Sequence, residues 1–479
     1  MKLFTIANNN NSYAELGAPL KVYYDITNKC NLDCVFCFKG EKTTDVTWDS
    51  AKSIIRKVAD ANIPDIVFIG GEPLCCTFLF DALRYAKDFG LNPGLVTNGT
   101  LFTRENVKEL KPLVNNSISI SVHAPNDELH DRISNGRETH TRIINGLNLL
   151  NESGIVPELA FTPIQENVPY LYDTIDGILS GGIQISDLLV NRLIPFGNAL
   201  SDWKSKKIEL SDQISLLDQM DKLHLKYPAI AIKSGDALPF CVVEEKYWKY
   251  IARCDYAITL GWINDQNLFG KCMVRGCTSA DSLDHYDLRE LWTHSDTFLC
   301  HRHMRNLLSE CKSCEWLLEC GGGCACSGED LSSQDAYLKA SLTRTMPPKP
   351  RKNHLLDNST LTVTAQDLEK INDDSMFIIK KHFTIRREHL KRDENDSNYI
   401  FLPASSGAII SDTIIPESGN ILWINEMEKQ VIIYLQSALS VSEIAKNISY
   451  EFNIPWNVAI SGVKTTIANL YSLGMVEQQ

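Results

Sequence analysis

Between residues 21 and 195, short apolar runs alternate with longer segments whose apolar residues recur at helical spacing. This alternation is typical of repeated βα units that build a parallel sheet. Six strands are predicted, at residues 21–26, 65–69, 94–97, 117–122, 157–162 and 187–193. The first intervening helix carries an apolar stripe of Trp48, Ala51, Ile54, Ile55 and Val58. Six units fall short of the eight that close a barrel, so we expect an open α/β partial TIM barrel with its site at the carboxyl ends of the strands.

The rest of the chain predicts further domains, because 479 residues are enough for more than one core. After residue 383 three β-like runs, at 399–402, 408–411 and 421–424, precede three helices, the second with a capping box of Ser440 and Glu443. The third helix ends near Gly474, and the whole resembles a small winged-helix type of module. The predicted division is an N-terminal extension (1–20), the partial barrel (21–200), a helical bridge (201–253), a cysteine-dense domain (254–330), a linker (331–382) and the C-terminal domain (383–479).

Charge and hydropathy narrow the possible partners. With 47 basic and 60 acidic residues the formal charge is −13, so nothing global favours a nucleic acid partner. No apolar stretch reaches membrane-spanning length, and the first twenty residues lack a secretory pattern, so we expect no membrane association and a cytoplasmic location. In reducing surroundings the fifteen cysteines indicate metal ligation, redox chemistry or burial rather than disulfides.

A first cysteine cluster follows the first predicted strand at once. Cys30, Cys34 and Cys37 are spaced so that one tight loop can turn all three thiols toward an iron-sulfur cluster. Three thiolates saturate three irons of a 4Fe-4S cube and leave the fourth open for a substrate. Structural zinc, the alternative, normally needs four protein ligands, and no further cysteine or histidine lies nearby in sequence.

This loop, with the aromatic Phe36 before its last cysteine, resembles the signature of the radical S-adenosylmethionine (SAM) superfamily. The resemblance continues at the later strand ends, where the family contacts SAM, with Gly70, Gly71, Glu72, Pro73, Asn98, Ser121 and Arg192. Glu72 suits the methionine ammonium, Arg192 suits a carboxylate, and the glycines permit close backbone approach. Taken singly these are ordinary turn and surface residues, but their order at successive strand ends favours the SAM site.

His123 departs from the family pattern, in which an aspartate often stands at its position. Beside the site, this histidine either bonds substrate or the SAM ribose, or serves as a satisfied structural residue. Cys75 and Cys76, directly after the Gly-Gly-Glu-Pro element, are read with Cys241 as small buried apolar thiols. A substrate-facing role for Cys75 and Cys76 stays open.

A second block holds nine cysteines between residues 254 and 326. It resembles the SPASM extension, which carries auxiliary 4Fe-4S clusters in radical SAM peptide-modifying enzymes, although Asn267 replaces the family's glycine in the leading pair. By this resemblance one cluster takes Cys254, Cys272 and Cys324, and the other takes Cys311, Cys314 and Cys320. The family's last, downstream cysteine is missing. Cys326 or Asp330 completes the second cluster, Cys277 or Cys300 completes the first, or one cluster keeps an open iron; a zinc ribbon is the alternative.

The C-terminal module has too little positive charge to grip DNA. Residues 397–479 contain three lysines, no arginine and seven acidic residues, a net charge of −4. The module resembles the PqqD-like element that recognises leader peptides of ribosomally made precursors. There a leader adds a strand to the sheet edge and packs against a helix, at positions that correspond here to 421–424 and 431–435.

These resemblances imply a radical SAM peptide maturase. An electron from a flavodoxin or ferredoxin type of donor would drive reductive cleavage of SAM to a 5'-deoxyadenosyl radical, which takes hydrogen from a precursor peptide bound through its leader. We expect an intramolecular crosslink. The alternatives are a peptide epimerase, an anaerobic sulfatase-maturing (formylglycine-forming) enzyme, disfavoured because Met273 stands where those enzymes typically carry an aspartate, and an iron-sulfur sensor with a winged-helix tail.

Overall fold

The structure, a computed structural model, describes most of the barrel and parts of the remaining chain. The described residues are 2–3, 7–8, 12–13, 16–39, 45–114, 118–273, 278–303, 308–328, 335–338, 371, 373–379, 383–388, 398–403, 422–424, 426–437, 439–472 and 476–478. The predicted strand at 408–411 and the helix end at Gly474 lie outside them, as do Cys277 and Asp330.

Strands and helices alternate through the first half of the chain, as expected. The strands are β1 (Lys2–Leu3), β2 (Ala7–Asn8), β3 (Ser12–Tyr13), β4 (Lys21–Thr27), β5 (Asp65–Gly70), β6 (Asn92–Thr97), β7 (Ile118–Ser121), β8 (Glu158–Phe161), β9 (Asp187–Val190), β10 (Ala231–Ser234), β11 (Leu260–Ile263), β12 (Leu268–Gly270), β13 (Thr278–Ser282), β14 (Phe377–Ile379), β15 (Phe383–Glu388), β16 (Asn398–Pro403), β17 (Leu422–Ile424) and β18 (Val476–Gln478). The helices are α1 (Trp48–Asp60), α2 (Leu79–Asp88), α3 (Arg104–Leu110), α4 (Asp127–Ser134), α5 (Thr139–Glu152), α6 (Leu171–Ser180), α7 (Trp203–Lys206), α8 (Leu210–Lys226), α9 (Leu288–His294), α10 (Asp296–Arg302), α11 (Ser309–Lys312), α12 (Leu317–Cys320), α13 (Glu426–Tyr434), α14 (Val441–Glu451) and α15 (Trp456–Ser472).

The six predicted strands lie side by side in the order β4 to β9, all parallel, which confirms the α/β prediction. Two further parallel strands extend this array. β10, inside the predicted helical bridge, pairs with β9, and β11, inside the cysteine-dense block, pairs with β4. A hairpin of β12 and β13 completes a ten-stranded sheet. The cysteine-dense block is therefore joined to the first barrel strand by main-chain hydrogen bonds.

Both faces of the parallel strands are buried, as the near-continuous apolar runs require. On β4 and β5, Tyr23, Val67 and Ile69 face an inner cluster that also contains Trp262, whereas the alternate residues face the helices. Helix α1 covers that outer side with the predicted Ala51, Ile54, Ile55 and Val58, which are fully buried. Thr47 starts the helix by accepting a hydrogen bond from the amide of Ser50.

The C-terminal part has a hydrophobic core of its own. Helices α13, α14 and α15 contribute most of it, and α14 begins at the predicted capping box of Ser440 and Glu443. Ile371 and Phe377 belong to the same core, and β14 pairs with β18, so the packed module starts before residue 383. A second sheet has the order β1-β17-β16-β15, in which the N-terminal Lys2–Leu3 lies antiparallel to Leu422–Ile424.

Candidate active site

One cavity of about 380 Å³ lies at the carboxyl ends of the barrel strands. It is lined by the predicted residues Cys30, Cys34, Phe36, Cys37, Gly70, Gly71, Asn98, Ser121 and Arg192, together with His123. Cys254, Cys272, Cys324 and Cys326 of the second cysteine block line it as well. The structure thus brings the two cysteine blocks to one space. Glu72, Pro73, Cys311, Cys314 and Cys320 are not among its lining residues.

The loop that carries Cys30, Cys34 and Cys37 is held from the end of the sixth barrel strand. Asn198 is the main tie, because its amide nitrogen donates to the Cys37 carbonyl oxygen (2.8 Å) and its side-chain Nδ2 donates to the Cys34 carbonyl oxygen (3.1 Å). Gly197 has a φ of +56°, and a Cβ there would lie 2.6 Å from the Cys37 carbonyl oxygen. Sequence reasoning missed both residues, since an Asn after a Gly reads as an ordinary loop signal.

The three thiols fit a positively charged iron-sulfur group. Burial raises the pKa of Cys34 well above its usual range, and the neighbouring Cys37 and Cys30 raise it further. Burial also raises the pKa of Cys37. Without a positive centre beside them Cys34 and Cys37 stay protonated at neutral pH, and a metal cluster bound there would displace their protons.

Gly70 and Gly71 press the Gly-Gly-Glu-Pro turn against the cysteine loop. The Gly71 amide donates to Thr27 (2.8 Å) and the Glu72 amide to Lys29 (2.7 Å). A Cβ on Gly70 would lie 2.2 Å from the Thr27 carbonyl oxygen, and a Cβ on Gly71 would lie 2.2 Å from that of Lys29. Only glycine permits this approach, which forms a close-walled cradle beside the thiols.

Glu72 is not among the residues that line the cavity, and its expected contact with the methionine ammonium stays a prediction. Its carboxylate accepts hydrogen bonds from Thr97 Oγ1 (2.7 Å), the Asn98 amide (2.7 Å) and the Leu74 amide (3.0 Å), and the residue is fully buried. Burial raises the pKa of Glu72 although these donors oppose the rise. The buried carboxylate of Glu72 therefore accepts hydrogen bonds from neighbouring donors of the protein. These bonds fix the backbone that carries Asn98 at the cavity wall.

Arg192 lines the cavity and is held there by other residues of the protein. Its guanidinium is buried and pairs with Asp335, with Nη1 at 2.5 Å from Oδ2, and it also donates to the Ala237 carbonyl oxygen at 2.7 Å. The guanidinium carbon also lies over the ring of Tyr337, 4.7 Å from the ring centroid. Burial alone would lower the pKa of Arg192, but the Asp335 carboxylate outweighs burial and raises it. The guanidinium therefore ties residues 335–338 to the barrel. Its expected contact with a carboxylate of SAM stays a prediction.

His123 lies on the cavity wall, where neighbouring residues hold its ring. Its Nδ1 accepts a hydrogen bond from the Thr162 amide (3.1 Å), and its ring meets Phe36 edge-on with centroids 4.5 Å apart. Burial, with the neighbouring His130, lowers the pKa of His123 well below its usual value. The ring is therefore neutral, carries its proton on Nε2, and supports the aromatic residue of the cysteine signature.

The cysteines of the second block lie in two places. Cys324 and Cys326 are buried and pack with Cys254 and Cys272 around Ala237. Cys311, Cys314 and Cys320 lie on and beside the short helices α11 and α12. In the described part of the chain no three His, Cys, Asp or Glu side chains are grouped to hold a single metal ion. Thiolates of a 4Fe-4S cube bind different irons and stand further apart than the ligands of one ion.

No functional or structural role was predicted for Asp335, because it falls in the predicted linker of residues 331–382. Its Oδ2 accepts a hydrogen bond from the Cys324 amide (2.8 Å) in addition to the Arg192 contact. The next residue, Ala336, donates its amide to Ser327 Oγ at 3.0 Å. Residues 335–338 therefore clamp the loop of Cys324 and Cys326 against the barrel, and no local sequence signal marks this long-range tie.

Comparison with known proteins assigns a family to the first part of the barrel. Residues 24–166, which span the cysteine loop and the first five barrel strands, match the family model of the radical SAM superfamily. This part of the chain is a radical SAM domain. That family binds SAM and a 4Fe-4S cluster.

The particular relatives include enzymes named for peptide and for haem chemistry. The chain is 26% identical over 350 residues to an AdoMet-dependent heme synthase of Methanosarcina barkeri, covering 68% of this chain and 96% of the relative. It is 25% identical over 334 residues to a PqqA peptide cyclase of Bradyrhizobium diazoefficiens, covering 67% and 85%. The fold resembles Streptococcus suis SuiB bound to SAM, with a TM-score of 0.54, 18% identity and coverage of 67% and 77%. None of the described helices is long and apolar enough to cross a membrane.

Proposed function

We propose that this radical SAM enzyme is a peptide maturase that takes hydrogen from a ribosomally made precursor and installs an intramolecular crosslink. This proposal depends mainly on the cavity at the strand ends, which is lined both by Cys30, Cys34 and Cys37 and by Cys254 and Cys324. A substrate in that space lies within reach of both cysteine blocks. The similarity to a peptide cyclase along two thirds of the chain supports a peptide substrate.

The residues of the barrel have distinct tasks in this proposal. Cys30, Cys34 and Cys37 hold a cluster with one open iron. Bound there, the cluster and SAM supply a 5'-deoxyadenosyl radical that takes a hydrogen atom from the substrate. The glycine cradle lets SAM approach the backbone, with Asn98 and Ser121 at the adjacent strand ends. The apolar interior of Tyr23, Ile69 and Val96 excludes water from the radical.

The second cysteine block would hold two auxiliary 4Fe-4S clusters. Cys254, Cys272 and Cys324 belong to the one beside the cavity, and Cys311, Cys314 and Cys320 to the other. Buried thiols with raised pKa values, as burial produces at Cys324, need a positive centre to become thiolates. We assign the electron supply to a flavodoxin or ferredoxin type of donor in the cytoplasm.

The C-terminal module would bind the leader of the precursor. The strand chosen from the sequence, β17, is not a vacant edge, because β1 pairs with it through Lys2 and Leu3. Since β1 is only two residues long, a longer leader strand would take its place along β17 with more main-chain hydrogen bonds. Val431 of α13 and Leu435, which directly follows this helix, are fully buried in the core of the module. The helix face open to a leader is therefore that of the half-buried Ile433 and Tyr434.

Haem synthesis is the second candidate, because the heme synthase match covers nearly all of that relative. About a third of this chain lies outside that match. The C-terminal module with a core of its own favours a peptide in this proposal, because we assign leader binding to it. Sulfatase-type oxidation is disfavoured because Met273, not an aspartate, lines the cavity after Cys272. Epimerisation uses the same hydrogen abstraction and remains a peptide alternative.

Mass spectrometry of a peptide substrate tests the proposal. Peptides encoded by short reading frames beside the gene would be incubated without oxygen with the reconstituted enzyme, SAM and dithionite. Crosslinking predicts a loss of two hydrogens per bond, located by fragmentation. An unchanged mass with deuterium uptake from heavy water would indicate epimerisation, and turnover of an iron porphyrin with no change in any peptide would contradict the proposal.

A further inference from the structure

The second auxiliary group contains only three cysteines by its sequence pattern, which leaves a 4Fe-4S cube one ligand short. Cys311 and Cys314 lie on one turn, since the Cys314 amide donates to the Cys311 carbonyl oxygen at 3.1 Å. Cys320 ends helix α12, where its amide donates to the Trp316 carbonyl oxygen at 2.9 Å. A fourth ligand must come from a segment packed against this turn and helix.

The segment packed there lies about seventy residues upstream. The amide of Phe240 donates to Cys320 Sγ at 3.4 Å, so its neighbour Cys241 stands beside that sulfur. Aromatic contacts fix the approach: the Phe240 ring stacks on Trp248 with centroids 4.7 Å apart, and Trp248 meets Trp316 edge-on at 4.8 Å. Because Trp316 lies between Cys314 and Cys320, this packing holds residues 240–248 over the thiol group.

Cys241 also lies close enough to two members of the group, Cys311 and Cys320, to interact electrostatically with both thiols. Cys241 and Cys311 are both half-buried, so they lie at the edge of the same packed region.

The sequence offered Cys326 as the fourth ligand of the group of Cys311, Cys314 and Cys320. In the structure Cys326 lies in the other group, with Cys254, Cys272 and Cys324. Cys326 is 5% exposed and packs with Cys254, Cys272 and Cys324 around Ala237. The short tie from Asp335 to the Cys324 amide holds the loop of Cys324 and Cys326 there. The first group therefore has four cysteines, and the second has four once Cys241 is counted.

We propose that Cys241 is the fourth ligand of the auxiliary cluster held by Cys311, Cys314 and Cys320, and that Cys326 completes the cluster of Cys254, Cys272 and Cys324. The inference rests on the proposed auxiliary clusters and adds their full ligand sets. Both cubes are then closed, with no open iron for a substrate. The substrate is bound in the cavity and the auxiliary clusters carry electrons.

Iron and sulfide analysis of the full chain tests the assignment, with clusters reconstituted from ferrous iron and sulfide. All variants carry Cys30, Cys34 and Cys37 as alanine, so only auxiliary clusters remain and the parent holds about eight irons. We expect Cys241→Ala to lose at least one iron and to show the EPR signal of an oxidised three-iron cluster. Cys241→Ser should keep about eight irons with a shifted EPR spectrum, because a serine oxygen can replace the thiolate. A role as a merely buried thiol predicts the reverse order, with alanine tolerated better than serine.

Cys326→Ala is expected to lose iron in the same way, and Cys300→Ala, which removes the rival ligand, is expected to retain about eight irons. An unchanged iron content and EPR spectrum in Cys241→Ala would overturn the assignment of Cys241. A parent protein without iron would instead show that the auxiliary clusters themselves do not exist, so the two failures are distinguishable.

Discussion

Arg192 Nη1 lies 2.5 Å from Asp335 Oδ2, and both side chains are almost entirely buried. The partners are 143 residues apart in sequence, and they connect the end of the sixth barrel strand to the loop of the auxiliary cysteines through the Cys324 amide. Because a buried charge without its partner is costly, this pair couples the stability of the barrel to the geometry of the first auxiliary group.

Asp335→Asn should therefore destabilise the protein by about 3 to 5 kcal/mol, since it leaves the Arg192 charge buried and unpaired. Denaturant unfolding followed by tryptophan fluorescence measures the change. Asp81→Asn is the matched control, because it breaks the exposed pair with Arg84 and should cost less than about 1 kcal/mol. If both substitutions lowered the free energy of unfolding by the same small amount, the buried pair would contribute no more to stability than the exposed pair.

Glu72→Gln should weaken SAM binding about tenfold and leave the iron content unchanged, as loss of a charged hydrogen bond implies. The amide can no longer accept from both the Asn98 amide and Thr97, so the backbone at the cavity wall loses its support. Anaerobic equilibrium binding of SAM measures the effect. The control Glu128→Gln changes an exposed residue and should bind SAM normally; equal binding by both variants would contradict the assigned support.

Acid should destabilise the barrel through His130. Burial, reinforced by His140, lowers the pKa of His130 to about 4, below the unfolded value of 6.5. The unfolded chain then binds more protons between these values, so the stability present above about pH 6.5 falls as the pH drops toward 4. This residue alone should cost about 2 kcal/mol at pH 5.

The test compares free energies of unfolding at pH 7.5 and pH 5. His130→Asn should lose less stability over this interval than the parent, and His285→Gln, at an exposed position, should lose as much as the parent. If the parent and His130→Asn responded identically to acid, the histidine would not be held neutral by the fold.

Truncation after Leu338 should spare SAM cleavage and weaken precursor processing at least tenfold, because leader binding would be lost. This boundary keeps the Arg192–Asp335 pair and removes Ile371 and Phe377 with the rest of the C-terminal core. The measurement is kcat/KM for a precursor with its leader, compared with the core peptide alone. Equal processing of the leader-bearing precursor by both enzymes would exclude the recognition role.

The parallel strands and the first cysteine cluster of Cys30, Cys34 and Cys37 could be predicted from the sequence, because both depend on local sequence patterns. Strand burial on two faces produces apolar runs, and thiol spacing within one loop is visible directly. β10 was missed because Ala231–Ser234 is short and half polar, so its pairing with β9 depends on the neighbouring strand rather than on its own pattern.

The long-range ties could not be predicted for a similar reason. Arg192 was assigned to a ligand by its type and position, but its partner Asp335 lies in a segment that reads as linker. Cys241 has no spacing relationship with Cys311, and only the packing of Phe240 on Cys320 brings it near. Partners separated by dozens of residues leave no periodic signal, so they emerge only from the folded chain.

Formation of 5'-deoxyadenosine tests the central claim that Cys30, Cys34 and Cys37 hold a cluster with an iron open to SAM. The anaerobically reconstituted full chain would be mixed with SAM and dithionite, and the product measured by liquid chromatography. We expect formation by the parent and by Cys76→Ala, a buried thiol outside the cavity, and none by Cys30→Ala. Equal formation by Cys30→Ala, or none by the parent, would contradict the account.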